Sequence, residues 1–189
     1  HELGIPDDCN VVLYLGRLHT MKCPLETIEA LAFAGNSKWH LLMIGPSGDI
    51  SAEACCRHAE DLGVTSRVHL LGPKYNKDKF RYIRGADFFI SLSYRENFGH
   101  AAAECLSASI PCILSPGNAL VREVAQDYPK AVIPLTDNTV ESASEGLKIA
   151  ALATAEERSL MSKHATSFVK DKLDYKIFKN SIQSLKNVA

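Results

Sequence analysis

The 189-residue sequence lacks several features that would assign it to particular classes of protein. It has no dense run of Lys or Arg, and its formal net charge is −1, so a nucleic-acid-binding surface is not expected. No apolar run is long enough to span a bilayer, and the first residues do not form a signal peptide. Hydrophobic residues make up 46% of the chain, which excludes a disordered polymer. We therefore expect a globular domain with its own core.

The cysteines are not spaced for a disulfide framework or for a metal site. No two of them form a C-x-x-C pair, and the chain is long enough to fold without disulfides. The segment Cys55-Cys56-Arg57-His58 holds three metal-ligating residues, but their spacing is poor for one tetrahedral site. We expect free, partly buried thiols in a reducing compartment and no bound metal.

The sequence does contain a regular alternation of apolar runs and amphipathic segments. The runs predict strands over 11–15, 39–44, 67–71, 86–92, 110–114 and 131–133. Between them, turn residues and helical periodicity predict helices over 24–34, 51–62, 77–84, 99–109 and 119–126. This alternation indicates an α/β, Rossmann-like fold, with a mostly parallel sheet of about six strands and helices on both faces. Each strand-to-helix loop then lies at the carboxyl edge of the sheet.

Beyond Pro134 the pattern becomes purely helical. A capping box at Thr154-Ala155-Glu156-Glu157 predicts a new helix start, and a last helix with a broad apolar face is predicted over 174–187. We expect one domain over 1–189 that ends in a helical tail from about 137 to 189. The absence of an initiator methionine indicates a segment of a longer protein.

Two glutamates eight residues apart, Glu96 and Glu104, form the most informative motif in the chain. The strand predicted over 86–92 ends in a loop that holds Glu96, and the next helix carries Glu104. Gly99 stands near the start of that helix, where free N–H groups and the helix dipole favour an anion. Two carboxylates beside an anion site suit a ligand that has both hydroxyls and phosphates, such as a nucleotide sugar.

The loop after the first strand supplies cations at the same edge. It reads Gly16-Arg17-Leu18-His19-Thr20-Met21-Lys22. Arg17 can hold phosphate oxygens bidentately, and Lys22 can act as a point charge. Alone the loop is weak evidence, because surface Arg and Lys are common, but it gains weight beside the glutamate motif.

The order of these motifs resembles the C-terminal domain of retaining GT-B glycosyltransferases. The chain presents G-R-L-x-x-x-K, then R-V-x-L-L-G, then E-x-F-G-x-x-x-x-E, then I-P-C-I. The resemblance covers nearly the whole chain and implies a Rossmann-like domain that binds a nucleotide-diphosphate sugar, the donor substrate.

The resemblance also implies a role for each motif residue. Arg17 and Lys22 would bind the donor diphosphate, Glu96 the hydroxyls of the transferred sugar, and Glu104 the ribose hydroxyls. Backbone amides around Asn97, Phe98 and Gly99 would face the sugar or the phosphates. We count Arg17, Lys22 and Glu96 as the catalytic residues of this chain, because they position the donor. No metal is expected, since the cations and the helix start would stabilise the leaving diphosphate.

Several positions depart from the family pattern. Cys23 stands where a Gly often follows the Lys, and Gly117-Asn118 replaces a usual Gly-Gly. Glu123 lies further along than the Glu that commonly follows that loop, so we assign it no role. For His100, a packed or solvated side chain is favoured over the alternative of a donor contact. For His19 a donor contact and plain solvent exposure stay equally open.

The resemblance implies an enzyme that moves a hexosyl group to an acceptor hydroxyl with retention of configuration. An N-terminal domain outside this sequence would bind the acceptor and supply a catalytic His, so the isolated chain is expected to be inactive. Cytoplasmic residence is expected, with peripheral association at the inner membrane face left open. Two alternatives remain: a GT-B-like epimerase or phosphorylase domain, and a non-catalytic nucleotide-binding module.

Overall fold

Six parallel strands form one sheet in the computed structural model, which describes residues 3–35 and 38–173. The strands are β1 Asn10–Leu15, β2 Trp39–Ile44, β3 Val68–Gly72, β4 Phe88–Ser91, β5 Cys112–Leu114 and β6 Val132–Pro134. Every neighbouring pair is parallel. The predicted number of strands and their parallel arrangement are confirmed.

Seven α-helices lie in the described part of the chain. They are α1 Pro24–Phe33, α2 Ala52–Asp61, α3 Asn76–Arg84, α4 His100–Ser107, α5 Leu120–Asp127, α6 Val140–Leu152 and α7 Ala155–Phe168. A π-helical turn over Val169–Leu173 continues α7. The helix predicted over 174–187 lies outside the described residues.

The helix starts follow from local sequence. Pro24 begins α1, where its missing N–H costs no hydrogen bond. The Ser51 hydroxyl accepts a hydrogen bond from Ala54 N at 3.1 Å and so caps α2. The capping box before α7 is confirmed, because Glu157 N donates to Thr154 Oγ1 at 3.2 Å and Thr154 N donates to Glu157 Oε2 at 2.8 Å.

Five predicted elements are shorter in the structure, and relative to the predicted length the difference is largest for β4, α4 and β5. The run over 86–92 yields only Phe88–Ser91, and the run over 110–114 yields only Cys112–Leu114. Leu92 and Ile110 flank these strands and are still buried. The apolar runs therefore mark which residues are buried, and they extend beyond the residues that pair with a neighbouring strand. Helix α4 begins at His100 because Gly99 has a φ of 75°, which is outside the helical region.

The sheet separates two cores, one on each face. On one face Val12, Leu41 and Ile90 pack with α1, α2 and α6. On the other face Leu13 and Phe89 pack with α3, α4, α5 and α7. Because alternate residues of a strand point to opposite faces, strands covered on both sides require continuous apolar runs. The predicted helices on both faces are confirmed.

The strand order positions the functional edge. The order is β3-β2-β1-β4-β5-β6, so the chain builds outwards from β1 in one direction and then outwards from β4 in the other. The helix after β1 packs on one face, and the helix after β4 packs on the opposite face. The loops after these two central strands therefore diverge and leave a crevice between them, which is where open α/β sheets bind ligands.

Candidate functional site

The loop after β1 is fixed against the loop after β2. Gly16 N donates to Ile44 O at 2.9 Å, and Leu18 N donates to Pro46 O at 2.9 Å. Gly45 comes so close that a Cβ on it would lie 1.8 Å from Gly16 O. The path of the loop that carries Arg17 and Lys22 is therefore set by backbone contacts with its neighbour.

Tyr14 forms a hydrogen bond to the backbone of Arg17. Its phenol hydroxyl donates to the Arg17 carbonyl at 2.8 Å, while its ring is buried at the end of β1. Burial raises the pKa of Tyr14 well above its usual range, so the phenol stays a donor at physiological pH. The Arg17 side chain itself is exposed, and no carboxylate in the described residues pairs with it.

A 3-10 turn over Thr20–Lys22 brings Lys22 to the crevice. Asp49, in the loop after β2, accepts hydrogen bonds from Thr20 N at 2.9 Å and from Thr20 Oγ1 at 2.6 Å. The hydroxyl bond is the main cause of a lowered pKa for Asp49. His19 Nδ1 accepts from Met21 N at 3.1 Å, which leaves Nε2 to carry the proton of the neutral ring.

Lys22 and Glu96 meet across the crevice. The Lys22 ammonium donates to Glu96 Oε1, and Ser93 Oγ donates to the same oxygen at 3.2 Å. The Glu96 side chain is 18% exposed, and that of Lys22 is 32% exposed. The loops after β1 and β4 thus place their charged residues in direct contact. Sequence motifs that are 74 residues apart form one site.

The loop that holds Glu96 is joined to the loop after β5. Glu96 N donates to Gly117 O at 2.8 Å, and Ala119 N donates to Glu96 O at 3.2 Å. Asn118 is buried between the loops and faces Gly99, where a Cβ would lie 2.5 Å from Asn118 Oδ1. The Asn that departs from the family pattern is therefore a packed part of the wall of the site.

The start of α4 lies beside Glu96. Gly99 is its N-terminal cap residue, and no side chain caps it, so the first backbone N–H groups are available for a ligand. Asn97 and Phe98 are exposed in the loop before it. The Phe98 ring lies 5.0 Å from the ring of His100, which is also exposed.

A narrow cleft connects these parts. It is lined by Tyr14, Lys22, Ser93, Glu96, Gly99 and Asn118, among others. Glu123 is exposed in the first turn of α5 and does not line this cleft. Lys22, the start of α4 and the Glu96 carboxylate converge here, whereas Arg17 and Glu104 do not line this cleft. The combination can hold an anionic group next to hydroxyl donors.

Glu104 is the second carboxylate of the motif, and it has a partner that sequence reasoning missed. Lys79 Nζ, on α3, donates to Glu104 Oε1 at 2.7 Å and to Oε2 at 2.9 Å. Nothing in the sequence around Lys79 distinguishes it from Lys77, the other lysine of α3. Asp49 was also missed, because its partner Thr20 lies 29 residues away, and Ser93 was missed although its partner Glu96 is only three residues away.

The described residues also bear on whether the chain has a metal site, disulfides or a helix that could span a membrane. Within residues 3–35 and 38–173, no three residues among His, Cys, Asp and Glu cluster as a metal would require. All six cysteines are free thiols. None of the helices in that same part of the chain combines the length and apolarity needed to cross a membrane.

Comparison with known proteins places this geometry in a family. The model of the family described as glycosyl transferases group 1 matches residues 1–168. A D-inositol 3-phosphate glycosyltransferase of Corynebacterium glutamicum is 35% identical over 131 residues, which are 66% of this chain and 31% of that protein. The chain thus spans about a third of the length of this curated relative.

Solved structures share the fold. Anabaena HepE (Alr3699) in complex with UDP superposes with a TM-score of 0.86 at 17% identity, over all of this chain and 51% of that one. The C-terminal domain of a group 1 family protein, LpcC, from Francisella tularensis gives a TM-score of 0.76 at 17% identity. That match covers 92% of this chain and 90% of the Francisella domain.

Proposed function

The chain belongs to the glycosyl transferases group 1 family, and we propose that it is the donor-binding half of a retaining glycosyltransferase. The reaction transfers a hexosyl group from a nucleotide diphosphate to an acceptor hydroxyl and keeps the anomeric configuration. The contact between Lys22 and Glu96 carries this proposal. It joins a phosphate-binding cation and a sugar-binding carboxylate at the crevice between β1 and β4.

The diphosphate is bound by the cations and the start of α4. Arg17 is exposed and has no described carboxylate partner, so its guanidinium is available for phosphate oxygens. Lys22 lies in the same loop as Arg17 and lines the cleft, and the first N–H groups of α4 face it from the other side of the crevice. As the glycosidic bond breaks, negative charge grows on the leaving diphosphate, and these groups stabilise it without a metal ion.

The carboxylates bind the two sugars of the donor. Glu96 accepts hydrogen bonds from hydroxyls of the transferred sugar, and backbone amides of 97–99 lie beside it. Glu104, on α4, accepts from the ribose hydroxyls. Both carboxylates position the donor, and neither transfers a proton in this scheme. UDP is the first nucleotide to test, since the fold neighbour HepE binds UDP.

The acceptor belongs to the other half of the enzyme. The chain spans 51% of HepE and 31% of the Corynebacterium relative, which leaves room for an N-terminal domain. That domain supplies the acceptor site and the catalytic His, so the isolated chain binds donor without transferring sugar. The free thiols support residence in the reducing cytoplasm, where peripheral contact with the inner membrane face would involve the missing half.

Isothermal titration of the 189-residue chain with UDP, GDP and ADP tests donor binding. We expect one of them to bind, and we expect Lys22→Met to weaken it about tenfold or more, because a charge-assisted hydrogen bond to phosphate contributes about 1.5–3 kcal/mol. The matched control is Lys38→Met, which removes a lysine paired with Asp8 at 2.9 Å outside the crevice. Absence of binding to all three nucleotides would refute the proposed function, and equal losses in both variants would remove Lys22 from the site.

A further inference from the structure

Lys79 and Glu104 form an ion pair in which the ammonium contacts both carboxylate oxygens. The ammonium of Lys79 donates to both oxygens of one carboxylate, at 2.7 Å and 2.9 Å. The Lys79 side chain is 22% exposed and the Glu104 side chain is 35% exposed. A pair on the open surface fixes little, but this one is half-buried and engages both carboxylate oxygens.

The contact determines which way the Glu104 carboxylate faces. The terminal torsion of a glutamate has a broad energy minimum, so the carboxylate plane rotates freely unless a partner fixes it. An ammonium that bonds both oxygens removes that rotation. Glu104 is anchored on α4 and Lys79 on α3, so the plane is defined by two helices packed in the same core.

Lys79 is itself held in place. Its backbone N–H donates to the Tyr75 carbonyl at 3.3 Å within the first turn of α3. Its ammonium also lies 5.7 Å from the centre of the Phe80 ring, a distance at which a cation is attracted to an aromatic face. The side chain therefore has a defined position from which to orient Glu104.

The carboxylate keeps acceptor capacity for a ligand. An ionised carboxylate offers about four acceptor positions on its two oxygens, and the ammonium uses one on each. One position per oxygen remains, which matches the two hydroxyls of a ribose.

We propose that Lys79 is a positioning residue for the donor nucleoside, which orients Glu104 to accept hydrogen bonds from both ribose hydroxyls. It thereby makes the site prefer ribonucleotides to 2′-deoxyribonucleotides. A site built to bond two hydroxyls rejects a ligand that lacks one, because an acceptor is left unpaired. This inference rests on the proposed function, and it adds a residue that lies outside the glutamate motif.

The test compares the binding of a ribonucleotide and of its 2′-deoxy form to the unmodified chain and to Lys79 variants. UDP, GDP and ADP are titrated into the full 189-residue chain, and the tightest binder is compared with its 2′-deoxy form. We expect a ribonucleotide preference of about tenfold in the unmodified chain. Lys79→Met should weaken the ribonucleotide about tenfold and leave the 2′-deoxy form within about twofold, so the preference disappears. Lys79→Arg should retain most of the preference, because guanidinium can also hold both oxygens.

Control variants separate positioning from general charge and from folding. Lys77→Met removes the same charge from an exposed site on the same helix and should keep the preference. Lys79→Gln serves as a second neutral variant if circular dichroism shows that Lys79→Met is unfolded. Equal weakening of both nucleotides in the neutral Lys79 variants, or an unchanged preference, would overturn the inference.

The outcomes also separate this inference from the proposed function. If the unmodified chain binds none of the three nucleotides, the proposed function fails and the role of Lys79 fails with it. If the chain binds a nucleotide and Glu104→Ala abolishes the preference while Lys79→Met does not, only the role of Lys79 fails. Loss of the preference in both variants supports both conclusions.

Discussion

Each glutamate of the motif is paired with a lysine from a different segment of the chain. Glu96 contacts Lys22 from the loop after β1, and Glu104 contacts Lys79 from α3. Each lysine offsets the negative charge of its glutamate at short range. At the scale of the residue, the negative charge of each carboxylate is thus balanced by a lysine ammonium within the protein itself.

Cys23 shows how a departure from the family pattern is accommodated. It lies between the 3-10 turn and α1 with φ 55° and ψ 51°, the left-handed region where glycine is the usual residue. Its thiol is buried, and this burial raises the pKa to about 12, so it stays protonated and unreactive. The left-handed backbone explains why the family often has Gly at this position. Cys23 adopts the same conformation at a cost in conformational free energy.

Substitutions at Cys23 should therefore separate backbone strain from side-chain packing. Cys23→Gly should change the free energy of unfolding by less than about 1 kcal/mol, because relief of the left-handed strain offsets the lost burial. Cys23→Val should destabilise by about 2 kcal/mol or more, since a β-branched residue is a strong outlier at positive φ. Urea unfolding followed by circular dichroism measures both. A Val variant as stable as the Gly variant would contradict this account.

At the scale of the element, the site consists of loops that are fastened to one another at the strand ends. The loop after β4 shares two backbone hydrogen bonds with the loop after β5 and one, from Tyr94 N to Met21 O at 3.1 Å, with the turn after β1. Asn138 Nδ2 adds bonds to Leu92 O at 2.8 Å and Ser93 O at 2.9 Å. This network fixes the position of Glu96 before any ligand binds.

Gly117 tests how tightly those loops are joined. A Cβ there would lie 2.2 Å from Ser93 O and 2.4 Å from Tyr94 O, so the backbone must move. Gly117→Ala should destabilise the protein by about 2 kcal/mol or more and weaken nucleotide binding, because the Glu96 loop shifts.

The matched control for Gly117 is Gly85, at the end of α3. A Cβ on Gly85 would meet its nearest atoms at 3.6 Å, which is ordinary contact. Gly85→Ala should stay within about 1 kcal/mol of the unmodified chain and bind nucleotide normally. Thermal melting and titration calorimetry measure both variants, and equal effects at the two glycines would show that the loops are not closely joined.

At the scale of the whole molecule, the buried His40 and the partly buried His69 link the strands β2 and β3 at one side of the sheet. His40 Nδ1 and His69 Nε2 are 3.0 Å apart, and the rings stack with centres 5.3 Å apart. Burial lowers the pKa of both histidines, and the nearby Arg67 lowers that of His40 further. A hydrogen bond between the rings requires at least one of them to be neutral.

The stability of the protein should therefore depend on pH below neutrality. Because each folded pKa lies below the unfolded value of about 6.5, the unfolded chain binds more protons in this range. The stabilisation is complete above about pH 6.5 and is lost as the pH falls through the folded pKa values. Urea midpoints between pH 7.5 and pH 5 measure this decline.

A double variant identifies the source of that pH dependence. His40→Gln with His69→Gln removes both titrating rings, so its urea midpoint should decline less over the same range than that of the unmodified chain. An unchanged decline would assign the effect to other groups.

The sequence by itself determined the fold class, the six strands and the loops that carry the site residues. Apolar runs that end at Gly16, Gly45 or Gly72 predict buried strands and their ends, because both faces of a parallel sheet are covered. The positions of Arg17 and Lys22 after one strand, and of Glu96 after another, follow from the same reasoning, since parallel strands share a carboxyl edge. The last predicted helix lies outside the described residues.

Only the tertiary structure decided the strand order, the exact strand lengths and the partners of each side chain. A strand ends where its neighbour stops pairing, so the apolar runs around β4 and β5 overestimated both elements. Lys79 meets Glu104, and Asp49 meets Thr20, because crossover helices and adjacent loops bring separate segments together. Local sequence indicates which residues are buried and where the chain turns. A contact between side chains that are remote in sequence depends on how the strands are ordered in the sheet.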